Sequence, residues 1–176
     1  TITSADLTGI HCRSESVFGL GNAPLASMAR ASALLLAHKP KTLSFEQAST
    51  LPVTWSTVHL AVSRRAARAG QSMIVQAAAG GVGLKAIEYI HWLGSRSCLA
   101  SAGQPQKHGH LQRIGITLLL HSRDGVAFGY GAARLLNGNR THAVLNSLSA
   151  DFIAASAGLL GEDGSFDEIG KRMIWA

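Results

Sequence analysis

Ser72-Met-Ile-Val-Gln-Ala-Ala-Ala-Gly-Gly-Val-Gly83, continuing without a break into Leu84-Lys-Ala-Ile-Glu-Tyr-Ile-His-Trp-Leu-Gly94, decides the fold of this 176-residue chain. Met73 to Ala77 is a short apolar run with β-branched residues, which predicts a strand buried in a parallel sheet. Small residues dominate Ala77 to Gly83, so a backbone there can approach a ligand closely. Beyond them Ala86, Ile90 and Leu93 recur at helical spacing with Ile87 beside them, and Gly94 closes the helix. Strand, glycine turn and helix make the opening of a dinucleotide-binding βαβ unit, with a pyrophosphate resting on the helix N-terminus. The fingerprint reads Ala78-x-Gly80-x-x-Gly83, with alanine in its first place. A plain strand-turn-helix connection has the same appearance, and that alternative stays open on these residues alone.

The second strand narrows the choice. Arg96 to Ala102 predicts that strand, ending about 20 positions past the glycines, where the ribose-binding residue belongs. An NAD-binding protein usually carries Asp or Glu there. Here Ser101 and Gly103 are followed by Lys107, His108, His110 and Arg113. A hydroxyl and cations without a carboxylate suit a 2′-phosphate, which favours NADPH over NADH. The alternative is that Lys107 and Arg113 occupy a solvated helix face.

Composition narrows the classes further. At 47% hydrophobic the chain can bury one substantial core, and 19 glycines with only 6% aromatic residues suit tightly packed α/β layers. The formal charge is +6, yet the basic residues are scattered, with Arg64, Arg65 and Arg68 the densest group. Without basic runs or interleaved aromatics, nucleic acid is not the expected partner. Cys12 and Cys98 form neither a disulfide framework nor a zinc cluster, which makes a reducing, cytoplasmic setting the expectation. The histidines make no ligand-spaced pair, so no metal site is expected. No apolar run has the length of a membrane span, and the start shows no signal-peptide pattern.

Along the chain, residues 1 to about 40 predict short strands and turns, among them Val17 to Leu20 and a turn at Gly21-Asn22-Ala23-Pro24. Ser44-Phe-Glu-Gln47 is a capping box for a short helix ended by Pro52, and Val53 to Val62 predicts another. After the second strand, Gln106 to Ile114 predicts a helix closed by Gly115, although Gly109 weakens it. Ile116 to Leu120 predicts the third strand. Gly125 to Gly138 is poorly patterned, with one helix expected around Ala132 to Leu136. His142 to Leu145 is the expected fourth strand, and residues 149–160 return to helical spacing. A turn at Glu162-Asp163-Gly164 is expected to lead into a fifth strand, Ser165 to Ile169. This alternation predicts an α/β fold, a doubly wound parallel (Rossmann) sheet. Ligands of such sheets sit at strand carboxyl ends, where Gly80, Ser101, Ser122, Asn146 and Lys171 all fall.

Taken in order, Leu51-Pro-Val-Thr-Trp-Ser-Thr-Val-His59, Ala77-Ala-Ala-Gly-Gly-Val-Gly83, His121-Ser-Arg-Asp124, Val144-Leu-Asn-Ser-Leu148 and Gly164-Ser-Phe-Asp-Glu-Ile-Gly-Lys171 resemble the enoyl reductase domain of type I polyketide synthases and animal-type fatty acid synthases. That domain belongs to the zinc-independent medium-chain dehydrogenase/reductase superfamily. The resemblance runs from about Val17 to Lys171. It implies that residues 1–50 are the last part of a β-rich, GroES-like substrate-binding domain with its connection, and that residues 51–176 are the NADPH-binding Rossmann domain. On this resemblance the chain is expected to be truncated at both ends. The implied activity is NADPH-dependent reduction of a trans-2-enoyl thioester on an acyl carrier protein, alongside ketoreductase, dehydratase and carrier domains of a synthase. It assigns Gly80, Gly81, Val82 and Gly83 to the pyrophosphate, and Ser101, Lys107 and Arg123 to the adenosine phosphate end. Thr57 and Asn146 fall to the nicotinamide side, and Lys171 is matched to a proton donor or transition-state stabiliser. For Asn146 a turn-capping role, and for Thr57 simple helix packing, are the alternatives. A stand-alone quinone or alkenal reductase of the same superfamily, and a structural segment without turnover, are the competing classes.

Overall fold

The computed structural model describes residues 5–10, 15–22, 28–63, 68–95, 97–148 and 151–170. The expected turn at Ala23-Pro24, the strand start at Arg96, and Lys171 lie outside the described residues. The chain divides into two units, Thr1–Thr57 and Val58–Ala176.

In the first unit β1 (Ala5–Ile10), β2 (Ser16–Gly21) and β3 (Leu36–His38) form an antiparallel sheet in that order. The capping box closes as its residues demand. Gln47 N–H donates to Ser44 Oγ at 3.1 Å, and Ser44 N–H donates to Gln47 Oε1 at 2.9 Å, starting α1 (Phe45–Ser49). Proline has no amide to lose at the start of a helix, and α2 (Pro52–Ser63) begins on one, carrying the chain into the second unit.

The second unit is built on five parallel strands in the order β6-β5-β4-β7-β8. They are β4 (Ser72–Val75), β5 (Ser97–Ala102), β6 (Leu118–His121), β7 (Thr141–Asn146) and β8 (Leu160–Glu168). Between them run α3 (Gly81–Trp92), α4 (Pro105–Arg113), α5 (Gly125–Leu136) and α6 (Asp151–Leu159). The apolar runs make sense because both faces of the sheet are covered. Met73 and Val75 of β4 and Ala143 and Leu145 of β7 join a core with Ile87 and Ile90 of α3. The alternate residues Ile74 and Val144 face a second core with Phe128 and Ala132 of α5. Chain order runs outward from β4 through β5 to β6 on one side, and through β7 to β8 on the other. The direction of winding therefore reverses between β4 and β7, where such sheets open a crevice at their carboxyl ends.

Two local expectations are corrected. The helix expected around Ala132 to Leu136 spans the whole of α5, because Asp124 caps it through Oδ1, which accepts from Ala127 N–H at 2.9 Å. Its glycines mark close packing rather than breaks. A Cβ at Gly125 would stand 2.5 Å from Asp151 Cβ at the start of α6, and one at Gly129 would stand 3.3 Å from Ala155 Cβ. The turn expected at Glu162 to Gly164 lies within β8, where the register jumps from Thr141↔Leu160 to Ala143↔Ser165. The turn residues are accommodated as an irregularity of the strand.

Candidate functional site

The crevice is built on the turn between β4 and α3. Ala77 adopts a left-handed conformation with φ 47°, and Gly80 N–H donates to Ala77 O at 2.9 Å. Gly80 is the N-cap of α3 and offers no side chain to the first turn. The amides of Gly81, Val82 and Gly83 consequently find no capping group among the described residues, and the helix dipole adds positive potential there. Gly83 is buried, and a Cβ on it would lie 2.6 Å from Ala78 Cα and O. This is the geometry of a cradle for an anionic group.

Ser101 takes a different place from the one expected. It is 0% exposed, with its hydroxyl accepting from Ala77 N–H at 3.3 Å and its carbonyl accepting from Ala78 N–H at 2.9 Å. It braces the glycine turn from the neighbouring strand, and no surface is left on it for a phosphate. The cations divide as well. Arg123 is exposed at the end of β6, and its Nε–H donates to Gly103 O at 2.7 Å. Lys107 is exposed in the first turn of α4. Arg113 and His110 lie in the last turn, with Arg113 roughly 12 Å of helix away from the end of β5. They face the negative pole of the helix dipole instead.

Asn146 ends β7 at the switch point and is 0% exposed. Its Nδ2 donates to Leu148 O at 2.8 Å and to Glu168 Oε2, while the other Glu168 oxygen accepts from Gly170 N–H. Asn146 Oδ1 and Ser147 Oγ are buried with no hydrogen-bond partner among the described residues. An unsatisfied buried acceptor at a crevice is costly, and a ligand or water donor would relieve it. Thr57 lies in the first unit, where its hydroxyl donates to Val53 O at 2.7 Å along its own helix.

Sequence reasoning missed Gln76. It is 2% exposed, its Nε2 donates to Ser156 Oγ at 2.7 Å, and its Oε1 accepts from Ser147 and Leu148 N–H, both at 3.2 Å. One amide thus ties the end of β4 to the β7–α6 turn. The available signal is a polar residue directly after the apolar run Met73 to Val75.

Among the described residues, no group of His, Cys, Asp or Glu is arranged to hold a metal ion, and no helix is long and apolar enough to cross a membrane.

No protein-family profile matches the chain. It is 34% identical over 163 residues to the highly reducing polyketide synthase AN6791 of Emericella nidulans, a match covering 91% of this chain and 6% of that synthase. Among solved structures, the CurK enoyl reductase is 33% identical with a TM-score of 0.86, over 93% of this chain and 49% of that one. The quinone oxidoreductase of Thermus thermophilus, solved also in complex with NADPH, is 27% identical with a TM-score of 0.78, over 92% of this chain and 52% of that one. The chain therefore spans about half the length of the solved reductases it matches.

Proposed function

We propose, for a chain that belongs with the enoyl reductase domains of polyketide synthases, that its second unit binds NADPH and serves the reduction of a trans-2-enoyl thioester on an acyl carrier protein. The observation that carries this reading is the uncapped N-terminus of α3 at the switch point, beside a β5 end that has cations and no carboxylate. The residues present fit a dinucleotide phosphate. Gly80, Gly81, Val82 and Gly83 offer backbone amides to the pyrophosphate, and Arg123 with Lys107 supplies positive charge for the 2′-phosphate. Ser101 serves beneath them as the brace of the turn. Asn146 is assigned to the nicotinamide side through its unpaired buried Oδ1.

When bound, the cofactor supplies hydride to the β-carbon of the thioester. Lys171 is assigned the proton for the α-carbon, or stabilisation of the enolate oxygen as charge develops. In a domain that includes the substrate-binding region, Lys171→Ala should lower turnover by roughly 10²–10⁴-fold with NADPH affinity nearly unchanged. Single-turnover kinetics with a crotonyl thioester check this, and unchanged turnover with chemistry rate-limiting removes Lys171 from the mechanism. Neighbouring ketoreductase, dehydratase and carrier domains are the proposed partners.

Calorimetry with NADPH and NADH tests the cofactor. Two charge-assisted phosphate contacts of about 1.5–3 kcal/mol each imply at least a tenfold preference for NADPH, and equal affinities refute it. The likeness to the Thermus oxidoreductase supports a second reading, a quinone reductase. Turnover of a quinone and not of a crotonyl thioester would select it.

A further inference from the structure

The ends of β5 and β6 bring together two histidines that lie apart in sequence. Side chains of a helix lean towards its N-terminus. His108, on the fourth residue of α4, therefore reaches back to the strand that feeds the helix, with Nε2 2.7 Å from Ala102 O. A carbonyl only accepts, so Nε2 carries the hydrogen and a second proton would enter at Nδ1. The parallel register sets Ala102 opposite His121, and the two imidazole centroids lie 5.1 Å apart. Two residues further on, Arg123 is pinned through Nε to Gly103 O, and its terminal nitrogens have no partner among the described residues. The other basic groups of α4 are Lys107 in its first turn and His110 and Arg113 in its last. No Asp or Glu occurs in α4, β5 or β6, and Asp124, the nearest carboxylate in sequence, is occupied in capping α5.

His108 and Arg123 are tied to the successive carbonyls of Ala102 and Gly103, with the His121 ring tilted against that of His108, and a phosphate dianion provides the counter-charge this group of bases lacks. Imidazole is the side chain whose charge ordinarily changes between about pH 5 and 8. Resting on the cofactor reading above, we infer that His108 and His121 join Arg123 as the specificity-determining groups for the 2′-phosphate, and that the imidazole pair takes up a proton from solvent when the phosphate binds. NADPH is then preferred over NADH most strongly on the acid side of neutrality.

The test is calorimetric titration of the full chain with NADPH and NADH at about pH 6.5 and about pH 8.5, in buffers of different ionisation enthalpy. The NADPH dissociation constant should weaken by about tenfold over that range while that for NADH stays nearly constant. The NADPH enthalpy should also depend on buffer, reporting proton uptake. His108→Gln keeps an amide donor for Ala102 O, and His121→Asn alters an exposed side chain. Together they should abolish both the pH dependence and the buffer dependence, with the NADH constant as the reference for an intact fold. An NADPH preference that persists unchanged with pH in the double variant and the original chain overturns the role of the histidines and leaves the cofactor reading standing. Failure of both cofactors to bind overturns the cofactor reading, and the inference with it.

Discussion

A Cβ at Gly83 would stand inside the turn, 2.6 Å from Ala78 Cα and O, whereas one at Gly80 would meet the Ala77 carbonyl at 3.2 Å. Gly80 also has φ −85° and ψ 168°, a backbone any residue adopts. Gly83→Ala should therefore lower stability by roughly 1–3 kcal/mol and deform the cradle, while Gly80→Ala should stay within about 0.5 kcal/mol. Urea denaturation separates the two. Cys98 gives a pH-dependent prediction, because burial pushes its thiol from 9.0 up to about 12. The folded value exceeds the unfolded one, so its contribution is complete below pH 9 and is lost as pH rises towards 12. The urea midpoint should fall more steeply across that alkaline range in the original chain than in Cys98→Ala. At this scale the glycines were legible because φ/ψ and close approach leave a compositional mark. The direction of a serine hydroxyl leaves none, which is why Ser101 was expected at a phosphate and stands beneath the turn.

Helices and strands were legible where burial on both faces made an apolar run or a cap left its residue type. The Ser44–Gln47 box and the Met73 strand are examples. In α5 the rule that glycine opposes helix gave the wrong extent, because packing against α6 outweighs propensity. Glycine can thus have opposite value in neighbouring helices. Gly125→Ala should cost roughly 1–3 kcal/mol by forcing α5 from Asp151. At Gly109, in α4, a methyl group would meet nothing within 4 Å, so Gly109→Ala should stabilise by about 0.5–1 kcal/mol. Thermal unfolding of the pair gives shifts of opposite sign. β8 was legible only in its paired half, since the Gly161 to Gly164 irregularity follows from the register with β7 and from no local pattern.

Across the molecule, the parallel order places the ends of β4, β5, β6 and β7 on one edge, so residues far apart in sequence converge there. That edge could be inferred from the alternation of elements, but the pairing of particular side chains across it could not. Gln76 is the clearest case. Replacing it with leucine should cost about 2–3 kcal/mol, because Ser156 and the Ser147 and Leu148 amides lose their partners. Guanidinium unfolding monitored by fluorescence measures this.

The clamp also carries a consequence for the order of assembly. Gln76 joins groups 71 and 72 residues apart, whereas β4 meets β5 after a much shorter excursion of chain. Closing the longer loop has the greater entropic cost, so the β4–β5–β6 half can organise before β7 arrives. Pulse-labelled hydrogen exchange should then find the Val75 and Leu99 amides, which face each other's strand, protected earlier than those of Ser147 and Leu148. The crevice would be the last part of the sheet to exist, and a cofactor can hold the finished sheet together without guiding its first half into place.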